Sequence, residues 1–232
     1  MTTRNDSVLL ITGASSGIGA ETARAAANEG YRLVLAARSV DKLQGLQQEL
    51  GGESRVVITA CDVQSVEDQK AMVDKALAQF GRIDAVFANA GRGGEPGGFS
   101  GADPDVWKDM ILTNILGVGI TLQVCMAALK ESAGHILITG SAAGRVTIPG
   151  SMYSATKWAV SAIGYGVREE IRGSGIRVTL IEPGMVDTPF FDERPENALA
   201  PEDIARAVTY ALAQPEHVDV NEILVRPTPA KR

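Results

Sequence analysis

Short apolar runs alternate with longer segments of mixed polarity along the whole chain. The short runs are rich in Val, Ile, Leu and Ala and are apolar at nearly every position. That pattern is typical of strands buried on both faces of a parallel sheet. The predicted strands are Val8–Thr12, Arg32–Ala37, Arg55–Ala60, Ile83–Ala88, His135–Thr139, Ile176–Ile181 and Glu222–Val225.

The segments between these runs carry apolar residues at helical spacing and end at glycine or proline signals. The stretches Gly91–Asp103 and Gly184–Ala200 are predicted to be irregular, the first because it is too rich in glycine for a helix. The predicted helices are Gly17–Glu29, Val40–Leu50, Val66–Phe80, a long one from Asp103-Pro104 to about Lys130, Ser151–Arg172 and Pro201–Ala213.

Strand–helix alternation of this kind predicts the α/β class. We expect one doubly wound Rossmann-type domain over residues 1–232. It should have about seven parallel strands in the order 3-2-1-4-5-6-7 and helices on both faces. Ligands of such sheets bind beyond the carboxyl ends of the strands, so the residues that follow each strand are the candidates for a site.

Composition excludes several classes of protein. The 232 residues are 45% hydrophobic and carry a formal net charge of −6, which argues against binding to nucleic acid or to an anionic membrane. Cys61 and Cys125 lie in apolar stretches and are predicted to be reduced core residues. Neither His135 nor His217 has neighbours that suggest a metal site. Without a signal-peptide pattern, and with no apolar run near the length of a membrane span, a cytoplasmic protein is expected.

The first predicted strand leads into a glycine-rich turn, Thr12 to Gly19, followed by a helix. Glycines at 13, 17 and 19 allow a tight turn in which backbone N–H groups and the helix N-terminus approach a pyrophosphate. The spacing is Gly-x-x-x-Gly-x-Gly rather than Gly-x-Gly-x-x-Gly, and no Lys-Ser/Thr pair follows as in a Walker loop. A turn without a ligand is the alternative.

The end of the second strand bears on which dinucleotide would bind. An acid there would favour the ribose hydroxyls of NAD, whereas an arginine would pair with the 2′-phosphate of NADP. Arg38 stands at this point, and the first acid, Asp41, already belongs to the next helix. NADP(H) is therefore predicted over NAD(H), with a solvated arginine as the alternative.

Tyr153 and Lys157 are four residues apart in a predicted helix, so their side chains share one face. An ammonium near a phenol favours the phenolate and is expected to lower the tyrosine pKa towards neutrality. The spacing alone is also common on solvated helix faces.

Seven motifs each stand after the expected strand or within the expected helix. They are Thr12-Gly13-x-x-x-Gly17-x-Gly19, Asp62-Val63, Asn89-Ala90-Gly91, Asn114, Ser141, Tyr153-x-x-x-Lys157, and Pro183-Gly184 with Val186 and Thr188. With these motifs the chain resembles the short-chain dehydrogenases/reductases over almost its whole length. Two features depart from the family pattern: Ala88 replaces a common asparagine, and Ser141 and Tyr153 are twelve residues apart, one fewer than is usual.

The resemblance implies reversible hydride transfer between NADP(H) and a carbonyl or alcohol carbon. It implies that Tyr153 is the general acid and base, Lys157 stabilises the phenolate and binds the nicotinamide ribose, and Ser141 binds the substrate oxygen. Asn114 would hold a relay water through its backbone carbonyl. The implied cofactor residues are Gly13, Ser15, Ser16, Gly17, Ile18, Gly19, Arg38, Asp62, Val63, Asn89, Ala90, Gly91, Tyr153, Lys157, Pro183, Gly184, Val186 and Thr188.

The substrate is expected to be small and to bind at residues 185–200, with Phe190 and Phe191 as apolar walls. Gly91–Asp103 and the turn from Arg145 to Met152 would complete the pocket. Arg92 and Arg145 are each interpreted as solvated arginines or as partners of a substrate carboxylate. The C-terminal strand region resembles NADP-preferring members that act on small aldehydes or hydroxy acids. The resemblance also implies a homotetramer or homodimer that pairs through the two long helices.

Two alternatives remain at this point. One is a redox sensor that binds the dinucleotide without turnover, which would not need the full set Asn114, Ser141, Tyr153 and Lys157. The other is an enoyl reductase on the same scaffold, which usually places its tyrosine and lysine further apart than four residues.

Overall fold

Seven parallel strands form one sheet in the computed structural model, which describes residues 6–94, 96–191 and 193–228. Their order is β3-β2-β1-β4-β5-β6-β7, so the predicted fold class and strand order are confirmed. The strands are β1 (Val8–Thr12), β2 (Arg32–Ala37), β3 (Val56–Ala60), β4 (Ala85–Ala88), β5 (His135–Thr139), β6 (Arg177–Pro183) and β7 (Glu222–Val225).

Helices cover both faces of the sheet because side chains of successive strand residues point to opposite sides. In β1, Leu10 packs with Met72 and Cys125 in one core, whereas Leu9 and Ile11 belong to the other. The first core lies under α3, α6 and α7, and the second under α1, α2 and α8. The helices are α1 (Gly17–Asn28), α2 (Val40–Glu49), α3 (Val66–Phe80), α4 (Gly98–Gly101), α5 (Pro104–Ile111), α6 (Gly117–Ser132), α7 (Met152–Glu170) and α8 (Pro201–Ala213).

The long central helix differs from its prediction. It begins as expected, with the Asp103 carboxylate accepting the Asp105 N–H at 2.9 Å and Pro104 in the first turn. It is interrupted, however, by a π-helical turn at Leu112–Leu116, and its second part runs to Ser132. A π-helical turn holds about one residue more than an α-helical turn, and the apolar pattern of the sequence does not reveal it.

Smaller corrections concern the ends of elements. The glycine-rich stretch predicted to be irregular contains one helical turn, Gly98–Gly101. Strand β4 begins at Ala85 rather than Ile83, because the Asp84 carboxylate accepts the Val8 N–H where a regular ladder would begin. Strand β6 continues to Pro183, beyond its predicted end.

Within the described residues, the stretch Pro104–Ser132 is long and apolar enough to cross a membrane, with a mean hydropathy of 1.8. The expectation that no segment reaches such a length is therefore wrong. The α6 part of this stretch packs on α3 and on the sheet, and Leu122, Cys125 and Leu129 are buried there. A helix that packs in the core of an α/β fold can meet the same criteria of length and composition as a membrane span.

Candidate active site

A cleft of about 410 Å³ opens at the carboxyl ends of the strands. Gly19 and Asn114 do not line it; they lie behind its wall and are considered below. Residues predicted from the sequence that line the cleft are Gly13, Ser15, Ser16, Gly17, Ile18, Arg38, Asp62, Val63, Asn89, Ala90, Gly91, Ser141, Tyr153, Lys157, Pro183, Gly184, Val186 and Thr188.

The turn between β1 and α1 needs its glycines for steric reasons. Gly13 has φ +64°, and a Cβ atom there would lie 2.8 Å from the Ala90 Cα. At Gly19 a Cβ atom would lie 2.3 Å from the Gly13 carbonyl oxygen. At the N-terminus of α1, the side chain of the N-cap residue Ser16 accepts no capping hydrogen bond and no acid occupies the first turn, so the N–H groups of this turn are left for an anion. The turn fits the pyrophosphate of a dinucleotide.

Asn89 holds three strand ends together beneath this turn. Its amide nitrogen donates to the Thr12 carbonyl at 3.1 Å and to the Gly13 carbonyl at 3.3 Å. Its amide oxygen accepts the Thr139 hydroxyl at 3.0 Å. The ends of β1, β4 and β5 are thereby fixed relative to one another, which gives the cleft a defined floor.

Two cations lie where β2 ends. Arg38 and Lys42 line the cleft, and neither forms an ion pair with another described residue within 4 Å. Arg38 is exposed, and its charge helps to lower the pKa of Asp109, which Gln64 lowers most through a hydrogen bond. A polyanionic group at this end of the cleft would meet two free positive charges. Lys42 was not predicted, although a lysine one helical turn after Arg38 is visible in the sequence.

Ser141 and Tyr153 are brought together despite their twelve-residue spacing. Ser141 begins a 3₁₀ turn, where its hydroxyl accepts the Ala143 N–H at 3.0 Å and donates to the Pro183 carbonyl at 3.4 Å. A hydrogen bond between Ser141 and Tyr153 lowers the tyrosine pKa, but burial raises it more, so the pKa lies above its ordinary value. The expectation that Lys157 lowers the Tyr153 pKa is wrong for the protein alone.

Lys157 does not lower the Tyr153 pKa because its ammonium group is hydrogen-bonded elsewhere. Lys157 Nζ donates to the Thr139 carbonyl at 2.8 Å and lies 5.8 Å from the centre of the Tyr153 ring. The side chain is only 5% exposed, and burial lowers the Lys157 pKa to about 8. A lysine that loses its proton this close to neutrality can take part in proton transfer.

Asn114 lies in the π-helical turn, where the Gly117 N–H donates to the Leu112 carbonyl five residues earlier. Its side chain is occupied by protein contacts. The amide oxygen accepts the Arg92 N–H at 2.9 Å, and the amide nitrogen donates to the Arg92 carbonyl at 3.0 Å and to the Thr156 hydroxyl at 3.1 Å. The side chain of Asn114 therefore braces the segment after β4 against α7.

Aromatic rings form the wall beside Tyr153. The Phe190 ring meets the Tyr153 ring edge-to-face at 5.7 Å, and Phe191 packs against Phe190 at 5.2 Å. Both phenylalanines line the cleft as predicted. The turn from Arg145 to Met152 does not contribute to the lining that the structure describes, and of the loop 91–103 only Gly91 and Arg92 do so.

The two arginines that were interpreted as solvated or as substrate-binding differ in the structure. Arg145 donates through Nε to both carboxylate oxygens of Glu182, at 2.8 and 2.9 Å, and its Nη2 lies 2.6 Å from Glu222. Both interpretations of Arg145 are wrong, because the acids that pair with it are distant in sequence. Arg92 lines the cleft and forms a half-exposed ion pair with Asp109.

A family profile described as short chain dehydrogenase matches residues 7–199. The chain belongs to this family. An uncharacterized oxidoreductase of Staphylococcus saprophyticus is 41% identical over 240 residues, which is 96% of this chain and 96% of that protein. The family assignment makes the protein an oxidoreductase, a dehydrogenase or reductase that uses a nicotinamide dinucleotide.

Solved structures of other dehydrogenases have the same fold. The alcohol dehydrogenase of the archaeon Thermococcus sibiricus, in complex with 5-hydroxy-NADP, has a TM-score of 0.90 and 36% identity over 97% of this chain and 98% of that one. Serine dehydrogenase of Escherichia coli has a TM-score of 0.86 and 30% identity over 94% and 96% of the respective chains.

Several lining residues of this short-chain dehydrogenase were not predicted. Cys61 was assigned to the core; it is buried, with a pKa raised by burial to about 12, yet it also borders the cleft. The rule that ligands meet residues just after each strand would have found most of the others. They are Ala37, Ser39, Lys42, Thr113, Thr139 and Gly140.

Proposed function

We propose that this protein catalyses reversible, NADP(H)-dependent hydride transfer between the nicotinamide and the carbonyl or alcohol carbon of a small substrate. The observation that carries the proposal is the placement of Ser141, Tyr153 and Lys157 in the same cleft as the glycine turn. The cofactor supplies the hydride when it is bound, and the side chains supply position, charge and a proton.

The residues that would hold the cofactor are those of the glycine turn, Asp62-Val63, Asn89-Ala90-Gly91 and the segment from Pro183 to Thr188. NADP(H) is preferred to NAD(H) in this proposal because Arg38 and Lys42 stand unpaired at the end of β2, where an NAD enzyme commonly has an acid. The 5-hydroxy-NADP complex of the related alcohol dehydrogenase is consistent with this preference.

Tyr153 would donate its phenolic proton to the carbonyl oxygen in reduction and recover it in oxidation. The Ser141 hydroxyl donates its proton only over a long 3.4 Å distance to the Pro183 carbonyl, and it would donate to the same substrate oxygen as negative charge develops there. Lys157 would stabilise the phenolate and bind the nicotinamide ribose. The backbone carbonyl of Asn114 would hold the water that relays the proton from Lys157.

We further propose that residues 1–232 form one domain and that the protein is a cytoplasmic homotetramer or homodimer. Apolar side chains at the outer surface of the central helices support an assembly through them. Ile111 at the end of α5, Leu116 in the π-helical turn and Trp158 on α7 are 37%, 46% and 48% exposed, and an interface through these helices would bury them.

Turnover is tested by following NADPH oxidation with a panel of small aldehydes, ketones and keto acids, and NADP reduction with alcohols and hydroxy acids. Oxidation of NADPH that depends on one of these carbonyls is expected. If NADPH binds but none of the panel is reduced or oxidised, the redox-sensor alternative replaces the enzyme.

Replacing Arg38 with alanine tests the cofactor choice. We expect the Kd for NADPH to rise about 10- to 100-fold, the effect of losing one charge-assisted contact to a phosphate. The Kd for NADH should change less than about threefold, because NADH has no 2′-phosphate. Both constants are measured by fluorescence titration, with Arg206→Ala on an exposed face of α8 as the control. An equal loss for both cofactors would show that Arg38 does not read the phosphate.

A further inference from the structure

The charges around Tyr153 restrict what the substrate can be. In the described residues, the cations that line the cleft are Arg38, Lys42, Arg92 and Lys157. Arg38 and Lys42 follow β2, which is separated from β5 and Ser141 by β1 and β4. Three steps between neighbouring strands place the end of β2 roughly 14 Å from the end of β5. These two cations cannot pair with a group bonded to the reacting carbon.

The other two lining cations are already engaged by the protein. Arg92 is paired with Asp109 on α5. Lys157 is buried and donates to the Thr139 carbonyl. Arg145, the remaining arginine near the Ser141 turn, is held by Glu182 and Glu222. A substrate carboxylate beside Tyr153 would find no free cation among the described residues.

The segment that borders the reacting end is itself acidic. Residues 185–199 contain four acids, Asp187, Asp192, Glu193 and Glu196, and one base, Arg194, a formal balance of −3. Arg194 is paired with Asp187 at 2.7 Å and is 82% exposed. The local field therefore repels an anion at the mouth of the cleft.

The surface next to Tyr153 is apolar and aromatic. Phe190, which contacts Tyr153, and Phe191, which contacts Phe190, are 41% and 37% exposed, an unusual amount for phenylalanines. Gly93 leaves room for Phe190, since a Cβ atom there would lie 3.1 Å from its ring. Two accessible rings beside the proton donor suit the burial of an aryl or alkyl group.

We propose that the substrate is an uncharged aldehyde or ketone, or the matching alcohol, with an aryl or alkyl group packed on Phe190 and Phe191. Keto acids and hydroxy acids are excluded. This inference rests on the proposed function and narrows the substrate classes that the sequence left open.

A matched pair of substrates tests the inference. Methyl phenylglyoxylate and phenylglyoxylate share the ketone and the ring and differ mainly in one negative charge. With NADPH, we expect kcat/KM for the ester to exceed that for the acid by about 100-fold, because a buried anion without a partner is strongly disfavoured. Equal turnover, or faster turnover of the acid, would overturn the inference while leaving the proposed function intact.

Binding separates failure of the inference from failure of the proposed function. Benzamide and benzoate are titrated by calorimetry into protein loaded with NADP. Tighter binding of benzamide than of benzoate supports an uncharged substrate. If benzamide binds more tightly but neither ketone is reduced, the proposed reaction is contradicted and the inference about substrate charge is not. Benzoate binding as tightly as benzamide, or binding of neither, contradicts the inference.

Two variants place the effect at the aromatic wall. Phe191→Arg supplies a cation beside the reacting carbon and is expected to reduce the ester-to-acid ratio at least tenfold. Phe99→Arg makes the same change at a 65% exposed position outside the lining and should leave the ratio unchanged. If the two variants behave alike, the charge of the wall does not select the substrate.

Discussion

Replacing Tyr153 with phenylalanine is expected to lower kcat by at least about 1,000-fold, within the range for loss of a positioned proton donor. The phenyl ring keeps its packing against Phe190, and no described contact of the glycine turn involves the phenolic oxygen. NADPH should therefore bind within about twofold of the parent protein, because only one of many cofactor contacts is lost. The measurements are steady-state turnover of a carbonyl that the parent reduces and fluorescence titration with NADPH.

Tyr210→Phe is the matched control for this change. Tyr210 lies on α8, outside the cleft, and is 58% exposed. It should retain full activity. Ser141→Ala should lie between the two, because it removes one hydrogen bond to the developing oxyanion and leaves the proton donor in place. Near-full activity of Tyr153→Phe would rule out the proposed proton transfer.

Replacing Arg145 with methionine is expected to lower the free energy of unfolding by about 3 kcal/mol, the typical cost of leaving a buried carboxylate without its partner. Glu182 is 1% exposed, and beyond Arg145 it has one described side-chain contact, the Ser161 hydroxyl at 3.3 Å. Urea denaturation followed by circular dichroism measures the loss.

Two further variants make the interpretation specific. Arg172→Met removes an exposed ion pair with Glu169 on α7 and should cost less than about 1 kcal/mol. Adding Glu182→Gln to Arg145→Met should restore more than half of the lost stability, because the buried charge is then gone. If Arg145→Met lowers the free energy of unfolding no more than Arg172→Met does, the buried ion pair of Arg145 and Glu182 does not stabilise the fold.

The order of the strands and most of the cleft could be predicted because both follow from local signals. Nearly continuous apolar runs mark strands that are buried on both faces, and the candidate residues stand just after those strands. Gly13 and Gly19 are positions where the backbone conformation or a 2.3 Å clash excludes any other residue. A constraint of this kind can be recognised in the sequence, because the residue type at the position itself indicates it.

The features that sequence reasoning missed depend on contacts between distant residues. Arg145 looked free because Glu182 and Glu222 lie 37 and 77 positions away, and only the packing of β6 beside β7 brings them to it. The raised pKa of Tyr153 was missed for a similar reason. The spacing along the helix reveals that Lys157 is near Tyr153, but it reveals neither that Lys157 donates to the Thr139 carbonyl nor how deeply Tyr153 is buried. The strength of these interactions depends on distances that are set only when the chain folds, so no sequence motif specifies them.

The π-helical turn at Leu112–Leu116 gives the central helix one residue more than a regular α-helix would hold over the same rotation. Each residue of an α-helix advances by about 100° around the axis, so without the wider turn this extra residue would rotate everything beyond it by that angle. The part before the turn contacts α7, while the part after it faces α3 and the sheet. If the same residues were wound as a regular α-helix without the π-helical turn, Cys125 would be rotated by about 100° relative to Met110, and the faces that α5 and α6 now bury could no longer both face their partners.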